Sequence, residues 1–191
     1  NYPEMHEIDP ILKMAMIHYQ FESIHPFHDG NGRTGRVLNI LYLILKKQID
    51  LPILYLSKYI NKTKSEYYKH LSGIRKDDKN IKDCLLYMIK GVEETSNFTI
   101  SFINNFLTLM KEATEKIKEK CPSIYSEKLM NYLFYDFYTK NEYFRDALGI
   151  SRNTASKYLN LLVDKGFLIE EQVGKEKLYK NVYLYSLIDK W

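Results

Sequence analysis

Gly30-Asn31-Gly32 stands between two segments that are apolar on nearly every side, and this constrains the fold more than any other feature of the chain. Upstream, Asp9-Pro10 reads as an N-cap followed by the proline favoured in a first helical turn. From there Ile11, Leu12, Met14, Ala15, Met16, Ile17, Tyr19, Phe21 and Ile24 nearly encircle a helix, as expected of a buried one. Downstream, Arg33 to Lys47 contains no proline and carries Val37, Leu38, Ile40, Leu41, Leu43, Ile44 and Leu45, so it predicts a second buried helix. A polar loop held between two such helices is a rigid platform.

The loop runs from His25 to Arg36 and concentrates reactive groups. Two glycines and an asparagine, Gly30, Asn31 and Gly32, permit left-handed backbone angles that aim successive N–H groups at one point, a nest suited to phosphate. The nest opens a helix, where free N–H groups and the helix dipole favour anions. Arg33 and Arg36 are three residues apart and share a side of that helix, in reach of phosphate oxygens. Asp29 suits Mg2+, which binds through one or two carboxylates plus substrate phosphates. His25, before a rigid Pro26-Phe27 step, is the candidate proton acceptor. Gly-Asn-Gly alone is usually only a turn, and His18, His25, His28 and Asp29 also raise a zinc site. The Pro-Phe step between His25 and His28, and the lack of a Cys pair, argue against zinc.

Taken together, His25-Pro26-Phe27-His28-Asp29-Gly30-Asn31-Gly32-Arg33-Thr34-Gly35-Arg36 resembles the signature of the Fic family, His-Pro-Phe-x-(Asp/Glu)-Gly-Asn-Gly-Arg-x-x-Arg, at every defined position. The resemblance covers roughly Ile8 to Met110. It implies a mainly α fold, a Fic-type helical bundle, and transfer of AMP from ATP to a hydroxyl side chain (Ser, Thr or Tyr) of a target protein with release of pyrophosphate. Under it His25 is the general base, Phe27 packs into the core to fix the loop, and Asp29 coordinates Mg2+. Gly30, Asn31 and Gly32 form the anion hole, Arg33 holds phosphate oxygens, and Arg36 meets the γ-phosphate. A Tyr-Tyr-x-x-Leu run lines the base pocket in similar proteins, which brings in Tyr68 and Leu71; read from the residues alone, these are a buried stripe. Alternatives are transfer of UMP or of a phosphoryl group, or a DNA-binding regulator with a vestigial Fic loop. Kinase-like Doc relatives carry Lys in place of the second glycine, whereas this chain has Gly32, which favours nucleotidyl transfer.

The remaining chain supplies organisation. A helix is expected over Lys64 to Lys76, and the run Lys58 to Lys82 holds eight basic and three acidic residues, a patch for ATP or a target protein unless it is simply a solvated face. From Ile81 to Lys120 the pattern is helical, with a break expected near Thr95 to Phe98. Cys121-Pro122-Ser123 marks the expected boundary between a catalytic core, residues 1–121, and a second domain, residues 122–191. Two cysteines, Cys84 and Cys121, the longest apolar run ending at Leu45, and no basic-then-apolar leader point to a reducing cytoplasm and no membrane.

The second domain reads as helices over Ser126 to Tyr138 and Glu142 to Leu148, then a third over Arg152 to Lys165 capped by Ser151. A hairpin of Phe167-Leu168-Ile169 and Leu178-Tyr179 follows, turning about Gly174. This order resembles the winged helix-turn-helix tail that follows many bacterial Fic domains. Arg152, Asn153, Ser156 and Lys157 would then be the contacts to DNA or a partner, with Lys175 and Lys177 on the wing. Residues 123–191 hold ten basic and nine acidic residues, a thin footprint for duplex DNA, so protein docking or a homodimer is favoured. Members of the family are commonly held off by a helix bearing Ser/Thr-x-x-x-Glu-(Gly/Asn), whose glutamate pairs with the position of Arg36, and use a hairpin flap to align the target. No such string occurs in these residues, the nearest being Thr108 to Glu112 followed by Ala113, and whether helix and flap precede Asn1 is left open by the sequence.

Overall fold

The computed structural model describes residues 8–188, apart from the side chains of Arg75, Lys76 and Asp78, which belong to the basic run noted above. It is mainly α, with a small three-stranded antiparallel sheet. The chain divides into two compact units, Asn1–Ile100 and Ser101–Trp191.

In the first unit, α1 (Pro10–Ile24) is followed by α2 (Asn31–Leu45), α3 (Leu56–Lys62) and α4 (Lys64–Lys76). A single 3-10 turn, Asp78–Asn80, precedes α5 (Ile81–Lys120), whose first half completes this unit. Asp9 caps α1 as its sequence suggests, accepting from the N–H groups of Ile11 (2.8 Å) and Leu12 (3.3 Å). The core gathers Met14, Ala15, Leu43, Leu56, Tyr59 and Met88.

The first two helices are less completely enclosed than their composition suggests. Met14, Ala15, His18 and Glu22 form the buried face of α1, and Asn31, Gly35, Asn39 and Leu43 that of α2. Val37, Leu41 and Leu45, one turn apart on the other side of α2, are exposed among the described residues. The seam between α1 and α2 therefore runs at i, i+4 spacing from the apolar Met14 and Leu43 to the polar or small His18, Glu22, Asn31, Gly35 and Asn39.

No break interrupts α5. Thr95, at the start of the stretch that suggested one, bonds back onto the preceding turn instead, Oγ1 to the Gly91 carbonyl (2.6 Å), and Thr99 just beyond it does the same to the Thr95 carbonyl (2.8 Å). Gly91 is required by proximity, since a Cβ there would stand 2.7 Å from the Tyr59 ring.

The second unit holds the last turns of α5, then α6 (Glu127–Leu133), β1 (Tyr138–Thr139), α7 (Asn141–Leu148), α8 (Arg152–Asp164), β2 (Leu168–Val173), β3 (Glu176–Asn181) and α9 (Val182–Ile188). The sequence puts a boundary at Cys121, where α5 does end. By packing, however, Ala113, Ile117 and Cys121 belong to the second core with Phe144, Leu159 and Leu162. Ser151 caps α8 through the Thr154 N–H, at 3.1 Å. The hairpin pairs Leu168 with Asn181 and Val173 with Glu176, with Gly174 in the left-handed region. Two elements were not foreseen. The short β1 pairs Tyr138 with Lys180, where a longer α6 was expected, and α9 follows the wing, started by Asn181, whose Oδ1 accepts from Tyr183 and Leu184 N–H.

Candidate active site

The loop between α1 and α2 is built by two residues in the left-handed region. His25 ends α1 there (φ 50°, ψ 57°), its N–H still bonded to the Phe21 carbonyl at 3.0 Å, and Gly30 starts α2 at φ 83°. Asn31 and Gly32 are already helical, so the expected three-residue nest reduces to one left-handed glycine at a helix start. Among the described residues no side chain caps α2. Its first-turn N–H groups stand at the positive end of the helix dipole, an arrangement that favours anions.

Asn31 holds the loop. It is 2% exposed, its Oδ1 accepts from the Phe27 N–H (2.9 Å), and its Nδ2 donates to the Phe27 carbonyl (2.6 Å). Phe27 itself is 51% exposed, and its ring stands 6.3 Å from that of Phe21 between centroids. The expectation that Phe27 packs into the core is corrected here. Its backbone is fixed by the amide of Asn31, so its ring need not be.

Asp29 is almost fully exposed; one oxygen accepts from the Gly30 N–H at 2.7 Å and the other lies 3.4 Å from Arg33. Arg36 donates from Nε to Ser57 Oγ on α3 (2.9 Å). His25, Asp29, Gly30, Asn31, Gly32, Arg33 and Arg36 all line one pocket of about 320 Å³, together with Tyr68 of α4. A second, larger hollow of about 870 Å³ shares His25 and Tyr68 with it and adds Leu71. Tyr68 is half exposed, whereas its neighbour Tyr67 is buried, so the pair splits between site and core. Among the described residues no group of three His, Cys, Asp or Glu side chains could hold a metal by itself. Asp29 fits the single-carboxylate mode of Mg2+, whose remaining ligands come from substrate oxygens and water.

Beneath the pocket lies a polar seam that sequence reasoning missed. His18, 1% exposed, shares a hydrogen bond between Nε2 and Tyr67 Oη (2.8 Å), and its Nδ1 accepts from Asn39 Nδ2 (3.1 Å). Burial lowers the His18 pKa to about 4, so the ring is neutral at physiological pH, and burial likewise holds the Tyr67 hydroxyl well above the ordinary tyrosine range. Glu22 lines both hollows. The signal was present: His18 and Glu22 are four apart on α1, as are Gly35 and Asn39 on α2, polar or small residues inside apolar helices. Ser57 carried no such signal, because only the placement of α3 brings it to Arg36.

In the second unit Arg152, Asn153 and Lys157 are exposed on α8, while Ser156 is engaged internally, accepting from Asn141 Nδ2 at 2.8 Å. Several cations around the wing are paired: Lys177 with Glu170 (2.6 Å), and Lys140 and Lys180 with Glu176 and Glu171.

Residues 1–43 match the family model for the Fic/DOC family, and residues 109–184 match that for the C-terminal domain of SoFic-like protein adenylyltransferases. Protein adenylyltransferase fic-1 of Caenorhabditis elegans is 32% identical over 110 residues, 58% of this chain and 19% of that protein. Its counterpart in Caenorhabditis briggsae is 41% identical over 64 residues, 34% of this chain and 11% of that protein. A probable protein adenylyltransferase of Aquifex aeolicus is 41% identical over 54 residues, 28% of this chain and 17% of that protein. The match thus spans less than a fifth of the length of each of these relatives.

Proposed function

We propose, starting from the match of residues 1–43 to the Fic/DOC family and of residues 109–184 to the SoFic-like C-terminal domain, that the chain transfers AMP from ATP to a hydroxyl side chain of a target protein. The observation that carries this reading is the gathering of His25, the uncapped start of α2, Arg33 and Arg36 around one pocket. A target hydroxyl, from Ser, Thr or Tyr, attacks the α-phosphorus. His25 takes its proton as the new O–P bond forms, and the bond to the β-phosphate breaks with release of pyrophosphate. The α2 N–H groups and the two arginines meet charge on the phosphate oxygens, the term that dominates phosphoryl chemistry. Mg2+ held by Asp29 would add charge neutralisation at the phosphates. Tyr68 and Leu71 form the wall against which the adenine lies.

The winged unit serves protein docking in this proposal, because the pairing of Lys140, Lys177 and Lys180 with carboxylates leaves the wing little net charge for duplex DNA. The chemistry belongs to a reducing cytoplasm, where the free Cys84 and Cys121 stay as thiols. No helix among the described residues is long and apolar enough to cross a membrane.

Intact mass of the protein and of candidate targets after incubation with ATP and Mg2+ tests the reaction. Addition of AMP supports it; UMP addition from UTP alone, or phosphoryl addition, redirects it. A steep salt-dependent affinity for duplex DNA would overturn the docking assignment.

A further inference from the structure

Glu22 is the buried acid for which the proposed reaction has no task. It is 8% exposed and sits three residues before His25 on α1, with its carboxylate set into the seam against α2. Its Oε1 lies 2.9 Å from where a Cβ on Gly35 would stand and 3.9 Å from the same point on Gly32. That Gly32 point is also 3.1 Å from a terminal nitrogen of Arg36. Oε1 is buried with no hydrogen-bond partner among the described residues, an unusual condition for a carboxylate.

The groups facing this carboxylate come from three helices. His18 and His25 belong to α1 and its cap, Arg36 to α2, and the buried Tyr67 to α4. Burial raises the carboxyl pKa, while His25 and Arg36 act in the opposite sense. Arg36 is thus drawn two ways, to Ser57 Oγ by a hydrogen bond and toward Glu22 by charge. A carboxylate in the floor of an anion pocket opposes the ligand the pocket is otherwise built for, so its use lies in the empty site.

We propose that Glu22 is the resident counter-ion of this pocket: it holds Arg36 over the first turn of α2 when no nucleotide is bound and limits how tightly a polyphosphate binds there. The proposal rests on the reading of this pocket as a phosphate site. A ligand phosphate takes over Arg36 but then faces an unneutralised carboxylate, which weakens binding and favours departure of pyrophosphate. For charges within about 7 Å at an effective dielectric near 20, removing the carboxylate should strengthen polyphosphate binding roughly tenfold or more.

Calorimetry of the whole chain with inorganic pyrophosphate at pH 8 tests this. Glu22→Gln and Glu22→Ala should each tighten pyrophosphate roughly tenfold or more, whereas Glu22→Asp, which keeps the charge, should stay near wild type. Adenosine, which carries no phosphate, should bind all four proteins alike. A merely structural glutamate predicts weaker binding in every variant, and the smaller alanine side chain keeps the test open if the glutamine variant does not fold. Wild-type binding with unchanged or weakened pyrophosphate affinity in the Gln and Ala variants overturns the counter-ion role alone. No pyrophosphate binding to wild type at millimolar concentration overturns the phosphate-site reading and this proposal with it.

Discussion

The side chain of Asn31 satisfies both backbone groups of Phe27, accepting from its N–H at 2.9 Å and donating to its carbonyl at 2.6 Å. One amide thus closes the loop that carries His25, Asp29 and Gly30. Asn31→Ala leaves two partly buried backbone groups without partners, at a cost of about 1–3 kcal/mol. The expected outcome is a lowered melting temperature together with a larger loss of transfer activity than of stability. Asn31→Asp, which can accept but not donate, should fall between the two, and full activity in the alanine variant would show that the loop holds its shape by other means.

His25→Ala should abolish transfer, by a factor of about 10² to 10⁴ for loss of a general base, while ATP affinity measured by calorimetry changes little. Wild-type turnover in that variant would remove His25 from the mechanism.

Asp29→Ala and Arg33→Ala should fail differently. Asp29 is exposed and close to Arg33, so its loss should flatten the dependence of activity on Mg2+. Loss of Arg33 removes a charge-assisted contact worth about 1.5–3 kcal/mol, and ATP binding should weaken roughly tenfold or more. Unchanged metal dependence and unchanged affinity in the two variants would place the phosphates elsewhere.

His18 predicts a pH window for stability. Its pKa is about 4 in the folded protein against about 6.5 for an unfolded chain, so between these values the unfolded state binds a proton that the native state rejects. Stability should therefore fall as pH drops from about 6.5 to about 4, by up to roughly 3 kcal/mol, and this contribution should be level on either side. Urea denaturation at pH 7 and pH 5 checks it. In His18→Gln the difference between the two pH values should shrink by most of that amount.

Gly35→Ala tests the α1–α2 seam. Its Cβ would stand 2.9 Å from Glu22 Oε1 and 3.1 Å from the His18 ring, so the helices must part or the side chains move, costing about 1–3 kcal/mol. An alanine variant as stable as wild type would mean that the seam yields freely.

Much of this architecture was legible in the chain because local rules and global packing agree. Asp9-Pro10 starts α1, Ser151 starts α8, Gly174 turns the wing, and α4 spans Lys64–Lys76 as its pattern indicates. Local rules failed where a tertiary partner decides. The family resemblance puts Phe27 in the core, yet Asn31 fixes its backbone and the ring is half exposed. Thr95 to Phe98 looks like a helix break, yet the Thr95 hydroxyl finds the Gly91 carbonyl within α5. Ser57 enters the site only when α3 is placed beside α2, and no spacing within one segment announces that meeting.

Gly30 and Gly32 occupy one motif for unlike reasons. At Gly32 the obstacle is crowding, with Arg36 3.1 Å from any added carbon. At Gly30 the nearest atom to such a carbon is Arg33, at an unstrained 3.6 Å, so room is not the limit and the sign of φ is. The requirement at position 30 is therefore one of handedness. A mirror-image alanine introduced there by chemical ligation meets it without glycine's freedom, and should stiffen the unfolded chain while leaving the entrance to α2 intact, a gain that no ribosomally encoded substitution at this position can supply.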